Sequence, residues 1–307
     1  MSSSNSDGSR TILWCVPRSI STALAKCLSF IDDSEVWFEP YAYCNATSNE
    51  YNHQTKLNIP MEYEGNEETF QRVKKALDGM ANTHFEPDRL SYGSVKRRLE
   101  ATTAQHVLVK DMGNAMTEEY RAYLPKGYRH TFLIRHPVRS IASYRKMMYN
   151  QFSELGLLEG KAAAEETYDV ERDDRFFPSG YGMTETYDLW KYIQDENIDT
   201  NPVVIDGDDL LAKPAETLSA YCAAVGLPYS NGLLQWDASP KVLTRMKASG
   251  DNLLMDLVNF YGTAMKSSCF LPPKEMPPRD QLPADVIRCS DKVMTYYEDM
   301  YKTRLKI

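Results

Sequence analysis

Five short apolar runs constrain the fold of this 307-residue chain more than any other feature. Runs of this length, rich in β-branched residues, are typical of strands that are buried on both faces. Segments with helical periodicity separate them, and strands that alternate with helices form parallel sheets. We therefore predict an α/β fold of three layers, α/β/α, with a central, mainly parallel sheet of about five strands: Thr11–Val16, Ser34–Phe38, His106–Lys110, Arg129–Ile134 and Pro202–Ile205.

The chain shows neither internal repeats nor a low-complexity linker, which favours one domain over two. The polar opening segment, residues 1–10, lacks an apolar signal core and predicts a disordered tail, with a single domain over residues 11–307. Tyr41–Tyr63 is polar and aromatic without a clean period, so we expect a surface loop there. Leu155–Tyr181 is also irregular, and its aromatic end is suited to a lid over a bound molecule.

Composition excludes several classes of protein. A formal net charge of −8 argues against general nucleic-acid binding, which requires a basic face. No window is long and apolar enough to span a membrane. The six cysteines lack a CxxC pair and the five histidines lack partners at metal-ligand spacing, so neither a disulfide framework nor a metal is predicted. This pattern favours a reducing, cytoplasmic setting.

The segment Thr11–Leu24 predicts an anion site, because it reads as a strand, a turn at Pro17 and a helix. The free N–H groups and positive dipole end of a helix N-terminus favour a bound phosphate or sulfate. Arg18 adds a charged fork, and short hydroxyl donors follow at Ser19, Ser21 and Thr22. The alternative is an ordinary turn in which Ser21 or Thr22 only caps the helix.

The turn does not match the loop of nucleoside triphosphatases. That loop requires GxxxxGK[ST], and this turn has neither the glycine nor the lysine. A kinase or nucleotide hydrolase therefore stays as an alternative with less support. In parallel sheets ligands bind at the carboxyl ends of the strands. Charged residues occupy those ends, at Arg18, Glu39, Lys110, Arg135 and Asp206.

A second phosphate site is indicated by Arg135 and Ser143. Arg135 follows an apolar strand, and Ser143 lies eight residues later on a predicted helix. Because this helix runs back beside the strand end, a guanidinium and a hydroxyl can reach one phosphate.

Together these blocks resemble the sulfotransferase family that uses 3′-phosphoadenosine 5′-phosphosulfate (PAPS). Its P-[KR]-S-G-[ST]-T loop is matched by Pro17–Thr22, except that Ile20 replaces the glycine. Its R-x-P motif with a later serine is matched by Arg135 and Ser143. Its YEDL stretch resembles the chain after Val203, with Gly207 in place of the tyrosine.

The nearest resemblance is to a sulfotransferase-like branch with PR-x-I-S-T-A-L, EP-[FY]-x-A and KDM segments. These correspond to Val16–Leu24, Glu39–Ala42 and Lys110–Met112. The resemblance implies a P-loop-like sulfotransferase fold with PAPS as donor and 3′,5′-adenosine bisphosphate as product. It implies that the 5′-phosphosulfate is held by Arg18, Ser19, Ile20, Ser21 and Thr22.

The same resemblance assigns the remaining roles. Arg135 and Ser143 hold the 3′-phosphate, while Arg18 and Lys110 stabilise charge during sulfuryl transfer. Met112 stands where cytosolic members carry a histidine base. In tyrosylprotein sulfotransferases the base is a glutamate 21 residues after the loop arginine, which corresponds to Glu39. Asp111 is the second choice, with helix capping as its alternative role.

The acceptor implied by this interpretation is a small molecule with a hydroxyl or, as second choice, an amine. A non-catalytic nucleotide-binding module stays open, because the histidine base is missing. Aromatic residues that we expect around the acceptor, or alternatively in the core, are Tyr41, Tyr43, Phe176, Phe177, Tyr181, Tyr187 and Trp190.

Overall fold

In the computed structural model, which describes residues 8–256 and 263–307, one parallel sheet carries helices on both faces. The strand order is β5-β4-β1-β3-β2-β6, and every adjacent pair is parallel. This confirms the predicted fold class, with six strands instead of about five. They are β1 (Ser9–Cys15), β2 (Ser34–Phe38), β3 (His106–Met112), β4 (Arg129–Ile134), β5 (Val203–Asp206) and β6 (Met246–Lys247).

Helices connect the strands. The α-helices of six or more residues within the described ranges are α1 (Ser21–Leu28), α2 (Pro40–Thr55), α3 (Glu67–Ala81), α4 (Tyr92–Ala101), α5 (Pro137–Glu154), α6 (Met183–Asp195), α7 (Gly207–Ala212), α8 (Pro214–Val225) and α9 (Ala284–Thr303). No helix of the described ranges is both long and apolar enough to cross a bilayer.

Alternate residues of β1 divide the core into two layers, as the pleat of a strand requires. Leu13 and Cys15 belong to one buried cluster, together with apolar residues of α1, α3 and α8. Ile12 and Trp14 belong to the other, with residues of α2, α4, α5, α6 and α9. The central strand is therefore buried on both sides, which explains its continuous apolar sequence.

The predicted surface loop at Tyr41–Tyr63 is wrong, because α2 occupies Pro40–Thr55. Pro40 takes the first helical position, where its fixed φ is suited to a helix start. The amides of Tyr41 and Ala42 donate to the carboxylate of Asp111 at 2.6 and 3.0 Å. A residue 70 positions away thus caps this helix, and no local sequence pattern reports it.

The N-terminal boundary also differs from the predicted one. Of the predicted tail, residues 1–7 lie outside the described ranges. Ser9 and Arg10 belong to β1, where they pair with His106 and Val107 of β3. The first strand thus begins two residues before Thr11.

Candidate active site

The carboxyl ends of β1 to β4 open into one cavity of about 1340 Å³. The loop after β1, the start of α2 and one face of α5 form its walls. The structure brings together here most of the residues singled out from the sequence: Arg18, Ile20, Ser21, Thr22, Glu39, Lys110, Arg135 and Ser143.

Three non-glycine residues of this cavity have left-handed backbones. The φ angles are 63° at Arg18, 74° at Ile20 and 55° at Glu39. Such a conformation costs a non-glycine residue on the order of 1–3 kcal/mol, and it is an outlier for a β-branched side chain. Strain of this kind concentrates at functional sites, so its clustering here supports a site that requires a fixed backbone.

The turn leaves the N-terminus of α1 open to the cavity. Ile20 is the N-cap residue and has no side chain that accepts a hydrogen bond, and the first turn carries no acid. The first amides of α1 therefore face the cavity with the positive end of the helix dipole. Ser19 is fully buried and does not line the cavity, and its Oγ has no hydrogen-bond partner among the described residues.

Arg18, Arg135 and Ser143 lie together, as predicted from their order in the sequence. The Nε of Arg18 donates to the Oγ of Ser143 at 3.2 Å. The Nη1 of Arg135 donates to the backbone carbonyl of Arg18 at 3.0 Å. Two guanidinium groups and one hydroxyl thus converge on one wall, which is the donor set that a phosphate prefers.

Asp208 holds the guanidinium groups of two arginines by ion pairs. It pairs with Arg135 at 3.5 Å and with Arg139 at 2.9 Å. Arg139 also lines the cavity and was not selected from the sequence. Its signal was present in the spacing, because residues 139, 143 and 147 are four apart and share one face of α5.

Glu39 and Lys110 form a buried ion pair at the neighbouring strands β2 and β3. The Nζ of Lys110 donates to Oε1 of Glu39, and the two residues are 1% and 8% exposed. Their backbones are also joined, since the Glu39 amide donates to the Lys110 carbonyl at 2.7 Å. The Sδ of Met112 lies 3.8 Å from the same Nζ, so the position of the missing histidine also lines this site.

Asp111 is fully buried and does not line the cavity. Its carboxylate accepts from the amides of Tyr41, Ala42 and Met112. Burial raises the pKa of this carboxyl to about 7, against the opposing effect of those amides. These contacts make Asp111 a capping residue for α2, whereas the sequence alone predicts the helix near Met116 as the one that it could cap.

Asp206, at the end of β5, also has an internal role. Its Oδ1 accepts from the amides of Asp208 and Asp209 at the start of α7, and its Oδ2 accepts from the hydroxyl of Tyr297. Burial raises the pKa of Asp206 to about 6. Among the described residues, no group of three or more metal-ligating side chains is found.

Only part of the predicted aromatic set reaches the cavity. Tyr43 and Phe176 line it. Tyr41 is instead buried against Trp14 and Tyr92 in the core. The irregular segment contributes three leucines to the cavity, Leu155, Leu157 and Leu158, and two charged residues, Asp173 and Arg175.

The fold and the site define an α/β protein with a cationic cavity at the carboxyl edge of its sheet. No family model matches the chain. Two curated proteins of Arabidopsis thaliana are similar to it: branched-chain-amino-acid aminotransferase-like protein 2, 25% identical over 230 residues, and protein 1, 26% identical over 230 residues. Each match covers 74% of this chain and 32% of the relative, so the chain matches about a third of the length of these proteins.

Two solved structures are similar as well. A sulfotransferase domain from the curacin biosynthetic pathway is 16% identical, with a TM-score of 0.42, over 93% of this chain and 98% of its own. A sulfotransferase domain from the Synechococcus PCC 7002 olefin synthase is 16% identical, with a TM-score of 0.37, over 96% and 98%. Scores this low leave the functional assignment to the geometry of the site.

Proposed function

We propose that this chain is a sulfotransferase that moves a sulfuryl group from PAPS to a hydroxyl, or secondarily an amine, of a small-molecule acceptor. One observation carries the proposal. Arg18, Arg135 and Ser143 meet in the cavity that the Glu39–Lys110 pair also lines. Donors that suit a phosphate and a carboxylate that can take a proton thus share one cavity.

The residues present fit the donor. The uncapped start of α1, with the hydroxyls of Ser21 and Thr22, matches a 5′-phosphosulfate. Arg135 and Ser143 match the 3′-phosphate, since a guanidinium and a hydroxyl supply charge-assisted hydrogen bonds. Arg18 follows β1 in the loop before α1 and contacts both Arg135 and Ser143, so it joins the two proposed phosphate sites.

When bound, PAPS would supply the sulfuryl group for the acceptor oxygen, with 3′,5′-adenosine bisphosphate as the leaving group. Glu39 takes the proton of the acceptor hydroxyl on its carboxylate. Lys110 keeps that carboxylate in place before the transfer and offers its ammonium to the charge that develops on the departing phosphate oxygen. The guanidinium of Arg18 also stabilises the charge on the departing phosphate oxygen.

The choice of Glu39 over Asp111 follows from their contacts. Each oxygen of Asp111 is held by backbone amides, and the residue has no access to the cavity. Glu39 lines the cavity and sits at a strained position that fixes its direction. This contrast supports Glu39 as the general base.

The experiment is a transfer assay with sulfur-labelled PAPS and a mixture of small alcohols, phenols and amines. We expect label on an acceptor with the wild-type protein and with ATP absent. A product that requires ATP and magnesium, with none from PAPS, would overturn the proposal in favour of a kinase. Binding of the bisphosphate with no transfer to any acceptor would instead support a non-catalytic module.

The proposed partner is a small acceptor and not a nucleic acid, in keeping with the net charge of −8. All six cysteines are free thiols, which supports a reducing, cytoplasmic setting.

A further inference from the structure

Helix α5 forms one wall of the cavity along most of its length, and its character changes from one end to the other. Arg139 and Ser143 line the first half. Met147, Met148 and Phe152 line the second half, and Leu155 follows at the end. At 1.5 Å per residue, the apolar stretch beyond Ser143 extends for roughly 18 Å. Along this helix, the charged side chain and the hydroxyls that line the cavity therefore lie in the first half, and the second half adds only the amide of Gln151.

Other segments add further apolar residues to the cavity, beside charged residues at Asp173, Arg175, Lys274 and Glu275. Leu77, Met80 and Phe85 line the cavity on one side, and Phe270 and Leu271 on another. Methionine side chains are flexible and polarisable, so they adapt to ligands without a fixed shape. The cavity of about 1340 Å³ exceeds the range of roughly 300–1000 Å³ that is typical of ligand sites. There is room for a nucleotide donor and for an extended acceptor.

The mouth of the cavity is marked by exposed apolar side chains. Among the described residues, eight large hydrophobic side chains are exposed. Four of them line this cavity: Leu155, Leu157, Phe176 and Leu271, which are 46%, 62%, 45% and 49% exposed. Exposed apolar residues that are grouped in this way mark a binding site, whereas scattered ones do not.

We propose that the acceptor is a linear, long-chain alcohol whose hydroxyl reaches Glu39 and whose alkyl chain follows α5 to the rim at Leu155–Leu158. This inference rests on the proposed sulfotransferase function and names its substrate class. A compact polar acceptor fits the stretch beside Met147, Met148 and Phe152 poorly, because additional hydroxyls there would lie unpaired against apolar side chains. Each such loss is on the order of 1–3 kcal/mol.

The test is transfer from labelled PAPS to a series of primary alcohols from hexanol to hexadecanol, each below its solubility limit. Burial of each methylene is expected to raise kcat/KM on the order of threefold until the chain reaches the rim, and further methylenes should add little. A kcat/KM that is independent of chain length, or highest for polyols, would overturn the inference.

Two variants locate the alkyl chain. Gln151 lines the cavity on α5 and is only partly buried, so Gln151→Trp is expected to obstruct the tunnel midway without disturbing the core. It should lower kcat/KM for hexadecanol at least tenfold and leave hexanol nearly unchanged. Leu157→Glu should lower kcat/KM for hexadecanol by a similar factor. The control is Leu57→Glu, because Leu57 is 61% exposed and does not line the cavity.

Equal losses for hexanol and hexadecanol in both variants would contradict the path along α5. Calorimetric binding of 3′,5′-adenosine bisphosphate tests the sulfotransferase function separately from the acceptor class. Transfer to short or polar acceptors without a chain-length preference overturns the acceptor class alone. Absence of bisphosphate binding and of transfer to every alcohol overturns the sulfotransferase and the acceptor class together.

Discussion

The carboxylate of Glu39 is held by an ion pair with Lys110, and both residues line the cavity. Glu39→Gln removes the proton acceptor, and we expect kcat to fall by about 10²–10⁴-fold with the affinity for 3′,5′-adenosine bisphosphate within a few-fold of wild type. Kinetics of labelled sulfuryl transfer and calorimetry measure these two quantities. Unchanged turnover in Glu39→Gln would remove Glu39 as the base.

The matched control for this variant is Glu35→Gln. Glu35 lies on β2, which ends directly before Glu39, and also pairs with a lysine, Lys247, at 2.7 Å, but neither Glu35 nor Lys247 lines the cavity. Because Glu39→Gln leaves the buried Lys110 without its carboxylate, its folding requires a separate check by thermal unfolding. Glu39→Asp keeps the charge and should retain stability while losing turnover, since the shorter side chain withdraws the proton acceptor.

Two departures from the sulfotransferase motifs, Ile20 and Gly207, are in contact with each other. A Cβ on Gly207 would lie 3.0 Å from Cδ1 of Ile20 and 3.0 Å from the carbonyl oxygen of Ser19. The side chain gained in the loop thus occupies space that a side chain at position 207 would need. The sequence alone does not show that these two departures are related, because only the fold brings Ile20 and Gly207 together.

This contact predicts a coupling between the two positions. Gly207→Ala should destabilise the wild-type protein by about 1–3 kcal/mol, because the added methyl meets Ile20 and the Ser19 carbonyl. The same substitution should cost at least ~0.5 kcal/mol less in an Ile20→Gly background, where only the backbone contact stays. Urea unfolding of the four proteins measures the cycle. Strictly additive effects would contradict the compensation.

Asp206 predicts a pH dependence of stability. Its pKa is raised to about 6 from 3.8 by burial, so the folded state binds a proton that the unfolded state has released. The resulting stability is complete below about pH 4 and is lost as the pH rises through 6. A shift of this size corresponds to about 3 kcal/mol.

Asp206→Asn keeps the acceptor for the amides of α7 and supplies a donor for Tyr297. We therefore expect a smaller loss of the free energy of unfolding between pH 4 and 6 than in wild type, measured by urea unfolding at each pH. The control is Asp32→Asn, at an exposed position. Parallel pH profiles for wild type and Asp206→Asn would show that Asp206 does not titrate in this range.

At the scale of elements, β1 and α2 show what the sequence could and could not predict. β1 was predictable because a strand that is buried on both faces reads as a continuous apolar run. The helical character of α2 was not, because its cap comes from Asp111 on β3. β6 was not predicted from the sequence, because a strand of two residues is too short to give a pattern.

The capping of α2 gives a prediction at the same scale. Asp111→Ala leaves the amides of Tyr41 and Ala42 buried without an acceptor, and we expect a loss of about 1–3 kcal/mol per unpaired group. The affected helix begins directly after Glu39, so turnover should fall with stability. Hydrogen exchange is the measurement, and faster exchange is expected at the start of α2. Protection equal to wild type would contradict the assigned cap.

The candidate site was also predictable from the sequence only in part. Arg18, Glu39, Lys110 and Arg135 were predictable, because residues that follow parallel strands meet at one edge of the sheet. The apolar half of the cavity was not predictable. Its residues come from α5, the irregular segment and the chain after residue 263, and only the packed molecule shows that they face one another.

At the scale of the whole molecule, a chain with a net charge of −8 collects six cationic side chains at one cavity: Arg18, Lys110, Arg135, Arg139, Arg175 and Lys274. An anionic ligand that binds only the folded state raises its stability, by about 2.7 kcal/mol at a hundredfold excess over Kd.

The most direct test of the account is a calorimetric titration of the wild-type protein with 3′,5′-adenosine bisphosphate, run beside ATP with magnesium. We predict one bisphosphate site per chain and weaker binding of ATP. The affinity for the bisphosphate should fall at least tenfold in Arg135→Ala and in Ser143→Ala. Tighter binding of ATP with magnesium, or bisphosphate binding that neither variant changes, would contradict this prediction.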